Sequence, residues 1–190
     1  MKHTLLVCLL VVLFGSCSTK LGELHLYDIS AQATLDTQKN TNKKSQKVYG
    51  VMFSAAQPYD STDIFRLDES TLRSKPLSNT QWAAKPKEML STTLLSLMNA
   101  KGLNAIRQPF GGAKIQKILK IHIARLLIIK RGNSNFAHIA LDCEVVDSKT
   151  LGVEKSLNIT KEAPISNTNE FAPVFLQLSY GVLQEVVEGL

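Results

Sequence analysis

The longest regular pattern in the chain alternates apolar and other side chains over residues 114–131. One predicted face is formed by the odd positions, and its β-branched residues favour a strand over a helix. The opposite face carries Gln116, Lys120, His122 and Lys130, and also the apolar Ile118, Leu126 and Ile128. Apolar side chains on both faces predict a central strand with cover on both sides, or a surface that meets a partner. The apolar odd positions are Ile115, Leu119, Ile121, Ile123, Leu127 and Ile129.

Two further alternating segments follow, separated by the turn sequences RGNSN and DSKTLG. Residues 136–148 and 153–163 each have apolar side chains at every second position, with polar residues between them. This pattern predicts an antiparallel meander of three strands with one face exposed to water. The predicted inward residues are Ala137, Ile139, Leu141, Cys143 and Val145, then Val153, Leu157 and Ile159.

Shorter strands are predicted earlier in the chain. ELHLYDIS, residues 23–30, alternates without showing which face is buried, and VYGVMFS, residues 48–54, forms a second strand. DIFRLD and TLRSKPL predict a hairpin around Asp68 and Glu69. LNAIRQPF predicts a further short strand that ends at Pro109 and two glycines.

Two segments have the period of a helix. Pro86 begins the first, a position where its missing N–H costs nothing, and Gly102 follows its end. The second occupies the last twenty residues, with Asn169 as a candidate N-cap and Pro173 in its first turn. Their apolar stripes are Leu90, Leu94, Leu97 and Met98, then Phe171, Val174, Phe175, Leu178, Val182, Val186 and Val187.

These elements predict an α+β fold in which two helices pack on one face of a mixed, largely antiparallel sheet. Residues 24–190 form one domain in this prediction. Residues 17–47 supply the N-terminus, the first strand and a polar linker, and residues 48–190 supply the rest. The segment from Ala31 to Lys47 lacks periodicity, so it is interpreted as a long loop that gives the folded part reach.

The first sixteen residues have the pattern of an export signal. Lys2 precedes an apolar stretch from Thr4 to Phe14, which is too short to span a bilayer. The small residues Gly15 and Ser16 then stand directly before Cys17, an order that resembles the lipobox of bacterial lipoprotein precursors. The resemblance implies cleavage between Ser16 and Cys17 and acylation of the Cys17 sulfur. Two or three acyl chains give stable membrane anchoring, whereas one chain is marginal. An ordinary secretory signal cut near Ser16 is the alternative.

The charge distribution and the cysteine content argue against a nucleic-acid partner and against an intrachain disulfide. The formal net charge is +6, and part of it lies in KNTNKKSQK, which has no aromatic residues between its lysines. We therefore expect no nucleic-acid partner. Cys8 lies in the signal and Cys17 is the acylation site, so Cys143 is the remaining thiol and no intrachain disulfide is expected.

No catalytic or metal-binding motif is found in the sequence. His25, His122 and His138 lie on predicted strands without metal-ligand spacing, and His138 shares an outer face with Asp142 and Glu144, as charged residues commonly do on a wet face. FGGAK lacks the spacing of a phosphate loop. The sequence therefore predicts a protein without a catalytic centre, metal or cofactor, and any ATP-driven step would belong to another subunit.

Taken in order, the predicted elements resemble the ABC-type transport auxiliary lipoprotein family. Tyr27 lies in a first strand shortly after the candidate acylated cysteine, as in that family. QWAAKPKEMLSTTLLSLM places Trp82 and Pro86 in the family's W-x-x-x-P arrangement before a leucine-rich helix. The order of long strand, hairpin, strand and C-terminal helix completes the resemblance. The three motif residues are expected to be structural, with Trp82 as a core residue.

The resemblance implies a non-catalytic lipoprotein that serves intermembrane lipid transport. Its expected partners are an MCE-domain protein, the ABC permease and ATPase complex, and the membrane itself. Because Ser18 follows Cys17, with no Asp there, sorting to the outer membrane is expected, and retention at the inner membrane stays open. A homo-oligomer is a further hypothesis, based on Leu126 and Ile128.

Two other classes of function stay open at this point. The first is a structural or chaperone lipoprotein of another outer-membrane assembly, such as a secretin or a lipopolysaccharide translocon. The second is a ligand carrier with an apolar cavity between helices and sheet.

Overall fold

In the part of the chain that the structure describes, eight strands form one sheet, and two helices pack on one face of that sheet. The computed structural model describes residues 23–30, 47–166 and 170–190. The strands are β1 His25–Tyr27, β2 Val48–Ala55, β3 Asp63–Asp68, β4 Arg73–Trp82, β5 Asn104–Arg107, β6 Lys117–Arg131, β7 Ser134–Asp147 and β8 Val153–Ile165. The helices are α1 Pro86–Ala100 and α2 Phe171–Glu188.

Strand β6 is the centre of the sheet. Along one edge it pairs in parallel with β2 through residues 117–123 and with β3 through residues 127–130. Its other edge pairs antiparallel with β7, which in turn pairs with β8. Beyond β2 lies β5, and beyond β3 lie β4 and β1. The predicted α+β class and the mixed sheet are confirmed, with the longest pairings antiparallel and four shorter ones parallel.

The main core lies between the sheet and the two helices. Buried leucines and methionines of α1 meet the apolar stripe of α2, and both helices pack on the same face of the sheet. Gly102 follows α1 with a φ of 74°, as expected for a residue that ends a helix in the left-handed region. The N-cap of α2 is Glu170, without a side-chain cap, and the candidate cap Asn169 lies outside the described residues.

A bulge in β6 corrects the predicted alternation. The register with β7 shifts between Ile123 and Arg125, so that Ala124 is an extra residue. Leu126 and Ile128 consequently face the main core with Ile121 and Ile123, and each is only 2% exposed. Leu127 and Ile129 are buried outside that core cluster. The apolar surface that suggested a homo-oligomer is therefore absent at Leu126 and Ile128, because both lie in the interior.

Strand β1 belongs to the folded domain. It pairs in parallel with the end of β4, and Ile29 directly after it is fully buried. Leu24 and Leu26 point outward and are 53% and 59% exposed, so the inner face of this strand is that of Tyr27 and Ile29. The polar segment that was expected to give reach, residues 31–47, thus connects β1 to β2. Its residues 31–46 lie outside the described part of the chain.

Candidate interaction site

The three motif residues predicted from the sequence meet where β1, β4 and α1 come together. Tyr27 is the register partner of Trp82, and the backbone N–H of Ala83 donates to the carbonyl oxygen of Tyr27 at 2.8 Å. Pro86 begins α1 four residues after Trp82 and is buried. The short connection between β4 and α1 is therefore fixed against β1.

An aromatic cluster completes this junction. The Trp82 ring lies edge-on to Phe171 and Phe175 of α2, with centroid distances of 6.2 Å and 5.3 Å. The rings of Tyr27 and Phe171 also pack together, with their centroids 4.8 Å apart. Trp82 is 1% exposed, so it is a core residue that joins the sheet to the C-terminal helix.

Beside this junction lies a groove, which we name the α1 groove, with a volume of about 550 Å³. Its walls come from four places in the chain: the residues after β1, the middle of β2, the first two turns of α1 with the residues before it, and the end of β5. The lining residues are Asp28, Ser30, Val51, Phe53, Ala83, Ala84, Lys87, Glu88, Met89, Ser91, Thr92, Arg107 and Gln108.

The α1 groove has an apolar base and a polar rim. Val51 and Met89 are buried beneath it, and Phe53 packs against the core while half-exposed. On the rim, Lys87 forms an ion pair with Asp60 at 2.8 Å. The hydrogen bond from Lys87 is the main cause that lowers the pKa of Asp60.

Arg107 stands at the other end of the rim, where β5 stops. Its Nη1 donates to the hydroxyl of the buried Ser91 at 3.3 Å, which fixes the guanidinium against α1. The lining includes no histidine or cysteine, and its charged side chains are two cations, Lys87 and Arg107, and two carboxylates, Asp28 and Glu88. This arrangement offers apolar contact and hydrogen bonds to a bound molecule.

The histidines singled out in the sequence lie apart from the α1 groove. His122 Nδ1 is 2.9 Å from the Ser54 hydroxyl. His138 Nδ1 is 3.3 Å from a carboxylate oxygen of Glu162, which is also an ion-pair partner of Arg131. Within residues 23–30, 47–166 and 170–190, no three His, Cys, Asp or Glu side chains come together as a metal site would require.

Cys143 is a core residue of β7. Burial, and to a smaller extent the neighbouring Asp142 carboxylate, raises the pKa of its thiol to about 12. The thiol is therefore protonated at neutral pH and unsuited to nucleophilic chemistry.

The predicted anchoring residues, Ser16 and Cys17, lie outside the described residues. In the part of the chain that the structure describes, no helix is sufficiently long and apolar to cross a membrane.

Sequence reasoning missed the α1 groove. Val51, Phe53 and Arg107 line the groove together only because β2 pairs in parallel with β5 and β6. Such pairings join distant segments and leave no local signal. Pro109 limits the length of β5 in the sequence but does not show which strand pairs with it.

Comparison with known proteins finds no matching family model and no matching curated protein. Several solved structures are similar. Protein XCC0632 from Xanthomonas campestris, described with the family model DUF330, has a TM-score of 0.67 at 21% identity, over 78% of this chain and 86% of that one. An uncharacterized protein has a TM-score of 0.66 at 11% identity, over 88% and 98%.

A third similar structure is a PelC L103M dodecamer from Paraburkholderia phytofirmans. Its TM-score is 0.51 at 11% identity, and the match covers 76% of this chain and 87% of that one. All three identities are low, so the similarity shows that this chain shares their fold.

Proposed function

We propose that this protein is a non-catalytic lipoprotein of the bacterial envelope that serves as the auxiliary component of an ABC-type, MCE-linked lipid transport system. The observation on which the proposal depends is the order Gly15-Ser16-Cys17 at the end of an export-type segment, directly ahead of a domain with this fold. The family motif residues Tyr27, Trp82 and Pro86 support it, since they meet at one junction of the fold.

The position of β1 determines how such an anchor would act. Only residues 18–24 separate Cys17 from β1, and a chain of seven residues spans at most about 25 Å. Lipid on Cys17 would thus keep the domain close to the membrane surface. The exposed Leu24 and Leu26 at the start of the fold would then face the lipid headgroup region.

In this proposal the protein acts by position and contact. Acyl chains on Cys17 fix it to the outer membrane, and the domain offers a docking surface to an MCE-domain protein that crosses the periplasm. The energy source is the permease and ATPase complex at the inner membrane. The fold shared with the DUF330-described protein is compatible with this role.

The partner is tested by crosslinking in intact host cells. A chain with an affinity tag after Leu190 is crosslinked, extracted from the membrane and analysed by mass spectrometry. We expect an MCE-domain protein among the crosslinked products, and a variant without the first sixteen residues, which is not exported, should not yield it. Recovery of only secretin or lipopolysaccharide-translocon subunits would contradict the transport role.

A further inference from the structure

Strand β2 has an edge that its neighbour covers only in part. β5 pairs with residues 48–51 of β2 and stops opposite Val51, whereas β2 continues to Ala55. Among the described strands, none pairs with this edge of β2 from Met52 to Ala55. An edge of this kind presents backbone groups that can hydrogen-bond to another chain.

The direction of these backbone groups follows from two hydrogen bonds, one on each side of β2. The carbonyl of Val51 accepts from the N–H of Gln108, on the β5 side, at 3.3 Å. The N–H of Ala56 donates to Ile123 of β6, on the opposite side, at 3.0 Å. Backbone groups alternate along a strand, so the N–H and C=O of Phe53 and Ala55 point to the β5 side, beyond the end of β5.

The α1 groove occupies the space where β5 would continue. Phe53 forms part of its base, and Ala84 and Met89 face the same space from α1 and the residues before it. A strand lying along Phe53 would place every second side chain against this apolar base and the others toward solvent. Arg107 and Gln108 close the end next to β5.

We propose that the α1 groove binds an extended segment of a partner protein, which adds to the sheet as a strand beside residues 52–55 of β2. The segment alternates apolar and polar residues, with an apolar side chain placed on Phe53, Ala84 and Met89. Backbone hydrogen bonds supply affinity and the groove supplies specificity, as in other cases of strand addition. The inference deepens the proposed function, and it rests on that function for the existence of a docking partner.

The first test maps the contact in intact host cells. A photo-crosslinking amino acid replaces Thr92, which is exposed and lines the groove, or Asn99, which is exposed on the same helix outside the groove. We expect Thr92, and not Asn99, to crosslink to a partner protein, and the attached partner peptide to be sequenced by mass spectrometry. That peptide should alternate apolar and polar residues.

The second test measures binding of that peptide, made synthetically, to the full-length chain in detergent. Ala55→Pro removes an N–H that faces the open edge, and Ala84→Trp fills the groove. Each should weaken binding about tenfold or more while the thermal midpoint stays near that of the unchanged chain. Ala56→Pro is the matched control, because it removes the N–H that donates to β6 and should lower the thermal midpoint.

Three outcomes would overturn the inference. In the first, Asn99 crosslinks to a partner and Thr92 does not. In the second, the Thr92 product contains only a second copy of this chain. In the third, neither Ala55→Pro nor Ala84→Trp changes peptide binding. The first of these would leave the proposed function standing, since a partner would still be captured on another surface.

Discussion

Individual side chains at the junction of β1, β4 and α2 account for much of the contact between the sheet and the C-terminal helix. Trp82 packs between Phe171 and Phe175, and the three rings contact each other edge-on. Edge-to-face pairs add to the hydrophobic contribution of burial. Removing the Trp82 ring therefore removes its contacts with both Phe171 and Phe175.

Trp82→Ala should lower the free energy of unfolding by about 3–5 kcal/mol, the usual cost of deleting a buried large aromatic ring. Urea unfolding followed by circular dichroism is the suitable measurement, because Trp82 is the single tryptophan of the chain and fluorescence would be lost with it. Leu72→Ala, at a position 79% exposed, is the control and should change stability by less than about 0.5 kcal/mol. Equal small losses in both variants would contradict the structural role of Trp82.

Asp147, at the turn after β7, makes the stability of the fold depend on pH. Its Oδ1 accepts from the backbone N–H groups of Thr150 and Lys149 at 3.0 Å and 2.9 Å, and its Oδ2 accepts from Lys117 at 3.1 Å. These bonds hold the pKa of Asp147 well below its ordinary value of 3.8, and the bond from the Thr150 N–H contributes most. A lowered folded-state pKa stabilises the fold above the ordinary pKa, and this contribution is lost as the pH falls below it.

Asp147→Asn should therefore be less stable than the unchanged chain at pH 7. The difference should shrink as the pH falls from about 5 through 3.8 and below, because the unchanged chain then loses the advantage of its carboxylate. Urea midpoints between pH 3 and 8 measure this. A stability difference between the two chains as large at pH 3 as at pH 7 would show that the charge of Asp147 is unimportant. Asp142→Asn, on the same strand, is the control.

At the scale of elements, local patterns predicted most helices and strands. The meander of β6, β7 and β8 follows from alternation and short turns, and α1 follows from Pro86 and Gly102 at its ends. The parallel pairings of β1, β2 and β3 were not predicted, because they depend on contacts between distant segments. The α1 groove depends on the same pairings.

The bulge at Ala124 was also invisible in the sequence. Residues 126–129 are all apolar, so either alternation across the bulge would bury two of them. The bulge separates the part of β6 that pairs with β2 from the part that pairs with β3. The register shift with β7 thus falls in the stretch of β6 that pairs with neither β2 nor β3.

Deleting Ala124 should leave the chain folded. Without the extra residue, regular alternation from Ile123 still turns Leu126 and Ile128 to the core. We expect a loss of no more than about 3 kcal/mol in the free energy of unfolding. Thermal melting followed by circular dichroism measures it.

The matched control deletes His122, two residues earlier on the same strand. That deletion can be absorbed at the bulge only if Ile123 turns outward and Ala124 takes its place in the core. It should therefore lower the free energy of unfolding more than the Ala124 deletion does. If the Ala124 deletion were as damaging as the His122 deletion, the bulge would be a required feature of β6 and not an accommodated one.

At the scale of the whole molecule, the anchor is expected to determine where the domain acts. Removing the Cys17 sulfur, which we propose is acylated, should release the protein, because membrane affinity then loses about 0.8 kcal/mol for every methylene that would be buried in the bilayer. The domain itself should be unaffected, since residues 23–30 and 47–190 are downstream of Cys17 and the described ones pack together independently of it.

Cys17→Ser should therefore move the protein from the membrane fraction of host cells to the soluble fraction, with an unchanged circular dichroism spectrum. Cys143→Ser, which alters the buried thiol of β7, should leave it in the membrane fraction. Intact mass of the extracted, unchanged chain should show residue 17 as the first residue with acyl groups attached. A mature chain that begins elsewhere or has no acyl group would mean that Leu24, Leu26 and the α1 groove are not held at a membrane surface by this route, and the proposed role would fail with the anchor.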